Sequence, residues 1–416
     1  MKSLINKSSY SFYTIFLLLI TYFMGFIFNE NSSGGAYKDF INQSIVVNAF
    51  SENFFQTFLN YDDYNTRHSP IFIIFLSLFK KINLSDDIIR FLHFIICLSL
   101  PYLFFKCLKI RFSDIDDQVL YFLTGIIFLS PTFRSLSVWP DSRIFGTIFF
   151  LLSVLYYLKF LKNGNFRNIL LNTFFLIISS YISPNFSLFS IFFITYYFTK
   201  LGLSKKFLFI LLLNFILALP AFYYLFILDI NFLSIKAVDF ASQNISQFNV
   251  ANKILIISTI LFFYIVPFYF ICSFNKNIEY SNINKILLTL IIFLICLFYF
   301  DYSKDFGGGG FYFKISYFLF QNLYLFFVIS FVSIFFLILK FGNNFWNYLI
   351  ITILILSNVQ YTIYHKYYDP LALIIFFFLI KTEINLKRLN NIKYIFFVYI
   401  YYITFLVINL FKYKIN

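Results

Sequence analysis

The stretch "SYSFYTIFLLLITYFMGFIF", residues 9–28, runs for twenty residues without a charge, the length an α-helix needs to cross the roughly 30 Å hydrocarbon core of a bilayer. It is too long for the apolar region of a signal peptide and has no small-x-small cleavage site, so it reads as a retained first membrane helix. Lys2 and Lys7 ahead of it set its start on the cytoplasmic side. Outward from there, apolar runs of similar length recur through the 416 residues, 61% of which are hydrophobic and only 12% charged, with a mean hydropathy of +0.81. These values exclude an ordinary soluble globular protein. The expectation is an all-α polytopic membrane protein with about 11–13 transmembrane helices in a single transmembrane domain over residues 1–416.

The net charge of +14 lies in short loops, where the positive-inside rule accounts for it, so nucleic acid is not expected as a partner. Cys97, Cys107, Cys272 and Cys296 show no CxxC spacing, which argues against a disulfide framework and against structural zinc. The abundance of Phe, Tyr, Ile, Asn and Lys matches the coding bias of an AT-rich genome. Aromatic enrichment is therefore not read as a binding surface.

Topology turns on "SPIFIIFLSLF", residues 69–79, whose eleven residues make only about 16 Å of helix, half the hydrocarbon thickness. Left out of the spans, it places almost every Lys/Arg cluster in the cytoplasm. The acidic or Pro-broken loops 29–68, 134–142, 230–252, 301–315 and 364–369 then gather on the outer face. The remaining candidate spans include 116–133, 185–199, 316–340 and 369–381. The long first outer loop carries Glu30, Asp39, Glu52, Asp62 and Asp63 against Lys38 and Arg67, and "YKDFINQSIVVNAFSENFFQTFLNY", residues 37–61, has the periodicity of interfacial helices.

Four places hold residues able to carry chemistry. In "GGAYKDFINQ", residues 34–43, Asp39 falls in the first turn of an amphipathic helix, either as helix N-terminal charge or as a functional carboxylate. In "NTRHSPIFIIF", residues 65–75, Pro70 starts a helix beside Arg67 and His68; cations at a dipole-positive helix end suit an anionic headgroup, belonging either to a substrate or to bulk lipid. In "SPTFRSLSVWPDSRIFG", residues 130–146, Arg134, Asp141 and Arg143 bracket Trp139. Charges at membrane depth are costly, so these line an aqueous cavity or pair with one another, and Trp139 reads as an interfacial anchor. In "QYTIYHKYYDPLALIIFFFL", residues 360–379, His365, Lys366 and Asp369 precede a proline-led apolar helix. The "KDFGGGGF" loop, residues 304–311, reads as a flexible connector or a lid, and His93 as a packed core histidine.

The order of these motifs resembles that of the glycosyltransferase C superfamily, polytopic enzymes that move sugars from polyprenyl-phosphate carriers and include protein O-mannosyltransferases and the lipid A aminoarabinose transferase. The resemblance covers residues 1–200, a family-like catalytic module, and returns near 360–380 within the additional helices of 201–416. It rests on an acidic residue in the first outer loop (Asp39), a "HPPLYY"-like motif ("RHSPIFIIF"), a Ser-Pro, basic and acidic link ("SPTFRSLSVWPDSR") and a late "RYLLP"-like motif ("HKYYDPLALI"). The chain departs from the family pattern in having Phe40 after Asp39, where an acidic pair is usual, and Ser69 where a second proline is common. The resemblance implies Asp39 as general base, and Arg67, His68, Arg134, Arg143, His365 and Lys366 as substrate-binding groups, with Asp141 orienting a cation or contacting a sugar hydroxyl.

The function this implies is transfer of a sugar from a polyprenyl-phosphate donor, within membrane lipid, to a glycan, lipid or protein acceptor of the cell envelope, on the outer face of a bacterial cytoplasmic membrane. No ligand spacing demands a metal, although the outer-loop carboxylates leave a divalent ion open. An O-antigen polymerase or ligase also fits a long outer loop among many helices, but usually places it late in the chain. A lipid-linked oligosaccharide flippase is expected to show two similar halves and mid-membrane charges, neither of which is seen.

Overall fold

The computed structural model describes residues 2–66, 68–230, 249–271, 273–274, 283–342, 344–358, 360–381 and 384–414. It is built almost wholly of helices. The chain divides into two compact units, Met1–Val238 with Tyr402–Asn416, and Asp239–Tyr401.

The first unit opens with α1 (Lys2–Ile27), and residues 29–68 fold into α2 (Ala36–Glu52) and α3 (Phe54–Leu59). Next comes α4 (Pro70–Lys81), twelve residues started by Pro70 behind Ser69 and ended by Lys80 and Lys81, cations that favour a helix C-terminus. It is not among the helices long enough to cross a membrane. A Lys80–Asp86 ion pair at 2.7 Å and a Ser85 cap lead into α5 (Asp86–Cys97), continued by α6 (Ser99–Arg111). The run read as one span at 116–133 is instead broken. α7 (Asp117–Gly125) and a 3₁₀ turn (Ile126–Leu129) are followed, after a bend of 62°, by α8 (Pro131–Val138), every residue of which is buried. The cause is local: Ser130 caps a new helix by accepting from the Phe133 N–H, and Pro131 fits its first position.

α9 (Ser142–Asn163) is the centre of the unit, packed on α6 and on α10 (Phe166–Ile182). Small and polar residues let these helices approach as membrane helices do. The Ser179 hydroxyl donates to the Gly146 carbonyl at 2.8 Å, and a Cβ on Gly146 would lie 3.0 Å from Ser183. Asn172 donates to Ser153 at 2.7 Å and accepts from Tyr197 on α11 (Phe189–Leu201) at 2.9 Å. α12 (Lys205–Phe222) completes the unit as a largely exposed apolar rod.

In the second unit α13 (Val250–Ile271) is the buried axis, with α14 (Ile283–Phe298), α15 (Gly310–Phe320), α16 (Tyr324–Phe341) and α17 (Phe345–Leu356) around it. The span expected at 316–340 breaks at Gln321, which takes a left-handed conformation (φ 55°) between α15 and α16. The one at 369–381 is a short, wholly buried helix, α18 (Leu371–Ile374) with a π turn (Ile375–Leu379). Two-residue strands β1 (Ser273–Phe274) and β2 (Ile384–Asn385) pair antiparallel, and α19 (Ile392–Lys414) runs from this unit into the first.

The glycine run is not a loose connector. All four of Gly307–Gly310 have positive φ, the Gly309 N–H donates to the Ile363 carbonyl at 2.8 Å, and a Cβ on Gly308 would stand 2.6 Å from that same carbonyl oxygen. Only glycine fits so close an approach with this backbone.

Among the described residues six helices are long and apolar enough to cross a membrane, seven if the bent α7–α8 pair counts as one span. The protein is therefore an α-helical membrane protein.

Candidate functional site

Three helix starts meet in the first unit. α2 begins at Gly35, a left-handed residue with φ 79°. Its first turn carries Asp39. α9 begins at Asp141, whose carboxylate caps it by accepting from the Arg143 N–H at 2.7 Å. α4 begins just after His68, whose backbone carbonyl accepts from the buried Tyr61 hydroxyl at 2.7 Å. Each helix N-terminus carries roughly half a positive charge.

At this junction the Arg143 guanidinium is held by two carboxylates. Its Nε and Nη2 donate to Asp141 at 2.9 and 2.6 Å, a bidentate grip, and Nη2 also reaches Asp39 Oδ2 at 3.1 Å. Asp141 is almost completely covered, at 2% side-chain exposure, Arg143 is at 17% and Asp39 at 33%. Exposure thus rises from the anchor to the carboxylate that meets the outside. Alongside, His68 bridges the same two helices: Nδ1 lies 3.2 Å from Ser142 Oγ, and Nε2 lies 3.2 Å from Gln43 Nε2. The Gln43 amide nitrogen thus faces one ring nitrogen and the Ser142 hydroxyl the other.

Asp39, His68, Asp141 and Arg143, distant in sequence, are thereby brought together. Gln43 and Ser142 are site members that the sequence reading missed; the available signal was that Gln43 stands one helical turn beyond Asp39, on the same face.

The other candidates fall elsewhere. Arg67 lies outside the described residues. Arg134, expected to bind substrate, is a structural cation: Nε and Nη2 embrace the Glu30 carboxylate at 2.6–2.9 Å, while the remaining N–H groups reach the Thr21 hydroxyl and carbonyl and the Phe128 carbonyl. Both partners are buried, and all five of its N–H donors have protein acceptors. Gly25 makes room for the pair, since a Cβ there would collide with the Glu30 carboxylate. Trp139 is no interfacial anchor. It is buried, donates to the Glu30 carbonyl at 3.1 Å and lies under the Arg90 guanidinium at 3.8 Å.

His365 and Lys366 belong to the second unit. His365 keeps part of its surface outside, but its imidazole is turned inward: Nε2 meets the Tyr264 hydroxyl at 2.8 Å and the ring packs against Phe263. Burial, with Lys314 in second place, pushes its pKa down to about 3. It is therefore a neutral packed histidine, not a phosphate-binding cation. Lys366 lies over the Tyr364 ring at 5.5 Å. His93 is buried, as expected, against the Leu136 carbonyl at 3.0 Å.

Among the described residues no three His, Cys, Asp or Glu side chains are arranged to hold a metal ion. Comparison with protein-family models, with curated proteins and with solved structures finds no match for the chain.

Proposed function

We propose that the protein is a membrane glycosyltransferase of the glycosyltransferase C type, taking a sugar from a polyprenyl-phosphate donor. The observation that carries this reading is the convergence of three helix N-termini on one partly exposed carboxylate and one anchored guanidinium. Such a junction suits an anionic headgroup, offering it helix N-termini and the Nη2 edge of a guanidinium that Asp141 holds from the other side. Beside it stands a base.

In the reaction so inferred, the donor phosphate replaces Asp39 at the Nη2 edge of Arg143, while Asp141 keeps the guanidinium in place. Asp39 then accepts the proton of an acceptor hydroxyl. The hydroxyl oxygen attacks the anomeric carbon, the bond from that carbon to the phosphate oxygen breaks, and its electron pair stays on the phosphate against Arg143 and the helix dipoles. His68, fixed by Gln43 and Ser142, orients the α9 end of the site. Among the described residues six long helices, or seven spans with the bent pair, fit this reading, fewer than the 11–13 expected from the sequence. The site faces the outer side of a bacterial cytoplasmic membrane, with an envelope glycan, lipid or protein as acceptor.

The test is transfer of radiolabel from a panel of polyprenyl-phosphate sugars to envelope fractions by the purified protein in lipid nanodiscs. Transfer is expected for the native chain and a fall of ~10²- to 10⁴-fold for Asp39→Asn. Absence of transfer from every donor overturns the reading.

A further inference from the structure

α2 buries Ala36, Phe40, Val46, Val47 and Phe50 against the rest of the unit, and among them one polar residue, Gln43, at 2% exposure. Its amide nitrogen is used on His68. Its carbonyl Oε1 is enclosed and has no hydrogen-bond partner among the described residues. The contact with His68 explains a polar nitrogen here but not the enclosed acceptor left unmatched, which is destabilising. Packing alone therefore does not explain the choice of glutamine.

Asp39 and Gln43 are separated by one turn of α2, about 6 Å along the axis, with both side chains leaning toward the helix N-terminus. The site thus presents two acceptors in a row, one charged and partly exposed, one neutral and enclosed. Together they call for two hydrogen-bond donors a few ångströms apart, as a sugar hydroxyl beside an acceptor hydroxyl provides. A phosphate has no donor of this kind at neutral pH. Ammonium groups would gain more from a second carboxylate than from an amide.

We propose that Gln43 is a substrate-binding residue whose Oε1 accepts a hydrogen bond from one hydroxyl of the donor sugar, beside the acceptor hydroxyl that Asp39 engages. The assignment rests on the glycosyl-transfer reading above and deepens it by naming the group that selects the hydroxylated part of the substrate. Gln43 also contacts His68, so a change at this position is read by its effect on hydroxyl discrimination and not by loss of activity alone.

The experiment compares the native full-length chain with Gln43→Met and Gln43→Glu in nanodiscs, using polyprenyl-phosphate hexoses and their monodeoxy analogues as probes and recording thermal stability in parallel. The native chain is expected to lose about tenfold in kcat/KM on one monodeoxy donor, the scale of one neutral hydrogen bond. Gln43→Met is expected to treat that analogue and its parent alike with an unchanged melting temperature, and Gln43→Glu, which keeps an acceptor oxygen, to retain discrimination. If Gln43→Met discriminates as the native chain does, or loses stability with discrimination intact, Gln43 is a packing residue and the proposal is overturned. If the native chain transfers from no donor, the glycosyl-transfer reading itself falls, and this assignment with it.

Discussion

Arg134 and Arg143 are near neighbours in sequence and opposite in circumstance. The first has every donor on a protein acceptor, whereas the second is clamped on one side by Asp141 and meets a partly exposed Asp39 on the other. Arg134→Ala is expected to strand the Glu30 carboxylate and cost about 3–5 kcal/mol, seen as a lost or much lowered melting transition in detergent. Arg143→Ala also strands a covered carboxylate, Asp141, so it is expected to lower the melting temperature as well as abolish whatever turnover the native chain shows. His365 supports a pH prediction. Its pKa falls from about 6.5 when unfolded to about 3 in the fold, so the unfolded state binds the extra proton and the stability present above pH 6.5 is lost as pH falls toward 3. Thermal melts between pH 7 and pH 4 should show this loss in the native chain and a flatter profile in His365→Gln. Asp39 and His68 were picked out beside helix starts marked by Gly35 and Pro70, and Asp141 and Arg143 as charges in a Pro-interrupted link. Gln43 was not singled out, because its place one turn beyond Asp39 marks only a shared face until burial shows the neutral amide in use. Nor was the Glu30–Arg134 pair, whose halves are 104 residues apart.

At the scale of elements, the glycine run and the α7–α8 bend each have a local cause and a distant partner. Gly308→Ala forces a side chain into positive φ and against the Ile363 carbonyl. It is expected to destabilise the second unit by more than about 1 kcal/mol, measured as a drop in its melting temperature, while Gly164→Ala, with open space at its Cβ, carries only the backbone strain. The bend was readable in principle: Ser130-Pro131 is a helix start, and it was overridden by the continuous apolar run around it. The break at Gln321 had a fainter mark, two amides, Gln321 and Asn322, within an aromatic stretch. Short α4 was legible from its length, about half the hydrocarbon thickness, together with the Lys/Arg clusters that its omission gathers on one side.

For the whole molecule, composition settled the class, and the surface bears out the reason. Along α12, Phe215, Ile216 and Phe222 are 65%, 50% and 54% exposed, a face that only lipid can cover without cost. Phe215→Arg at the middle of that helix should weaken membrane insertion by about 2.5–3.5 kcal/mol, read with a glycosylation-mapped insertion reporter; unchanged insertion would place α12 outside the bilayer. Orientation is checked separately. A cysteine at exposed Asn42 should react with membrane-impermeant maleimide from the periplasmic side, and protection there would put the site in the wrong compartment. Three consecutive residues at the head of α9, Asp141, Ser142 and Arg143, hold each other and two further helices, α4 through His68 and α2 through Asp39. One amino acid inserted between Arg143 and Ile144 would turn that trio by about 100° about the axis, unhooking both neighbours at once. Length at this joint is therefore held as tightly as the identity of the three residues.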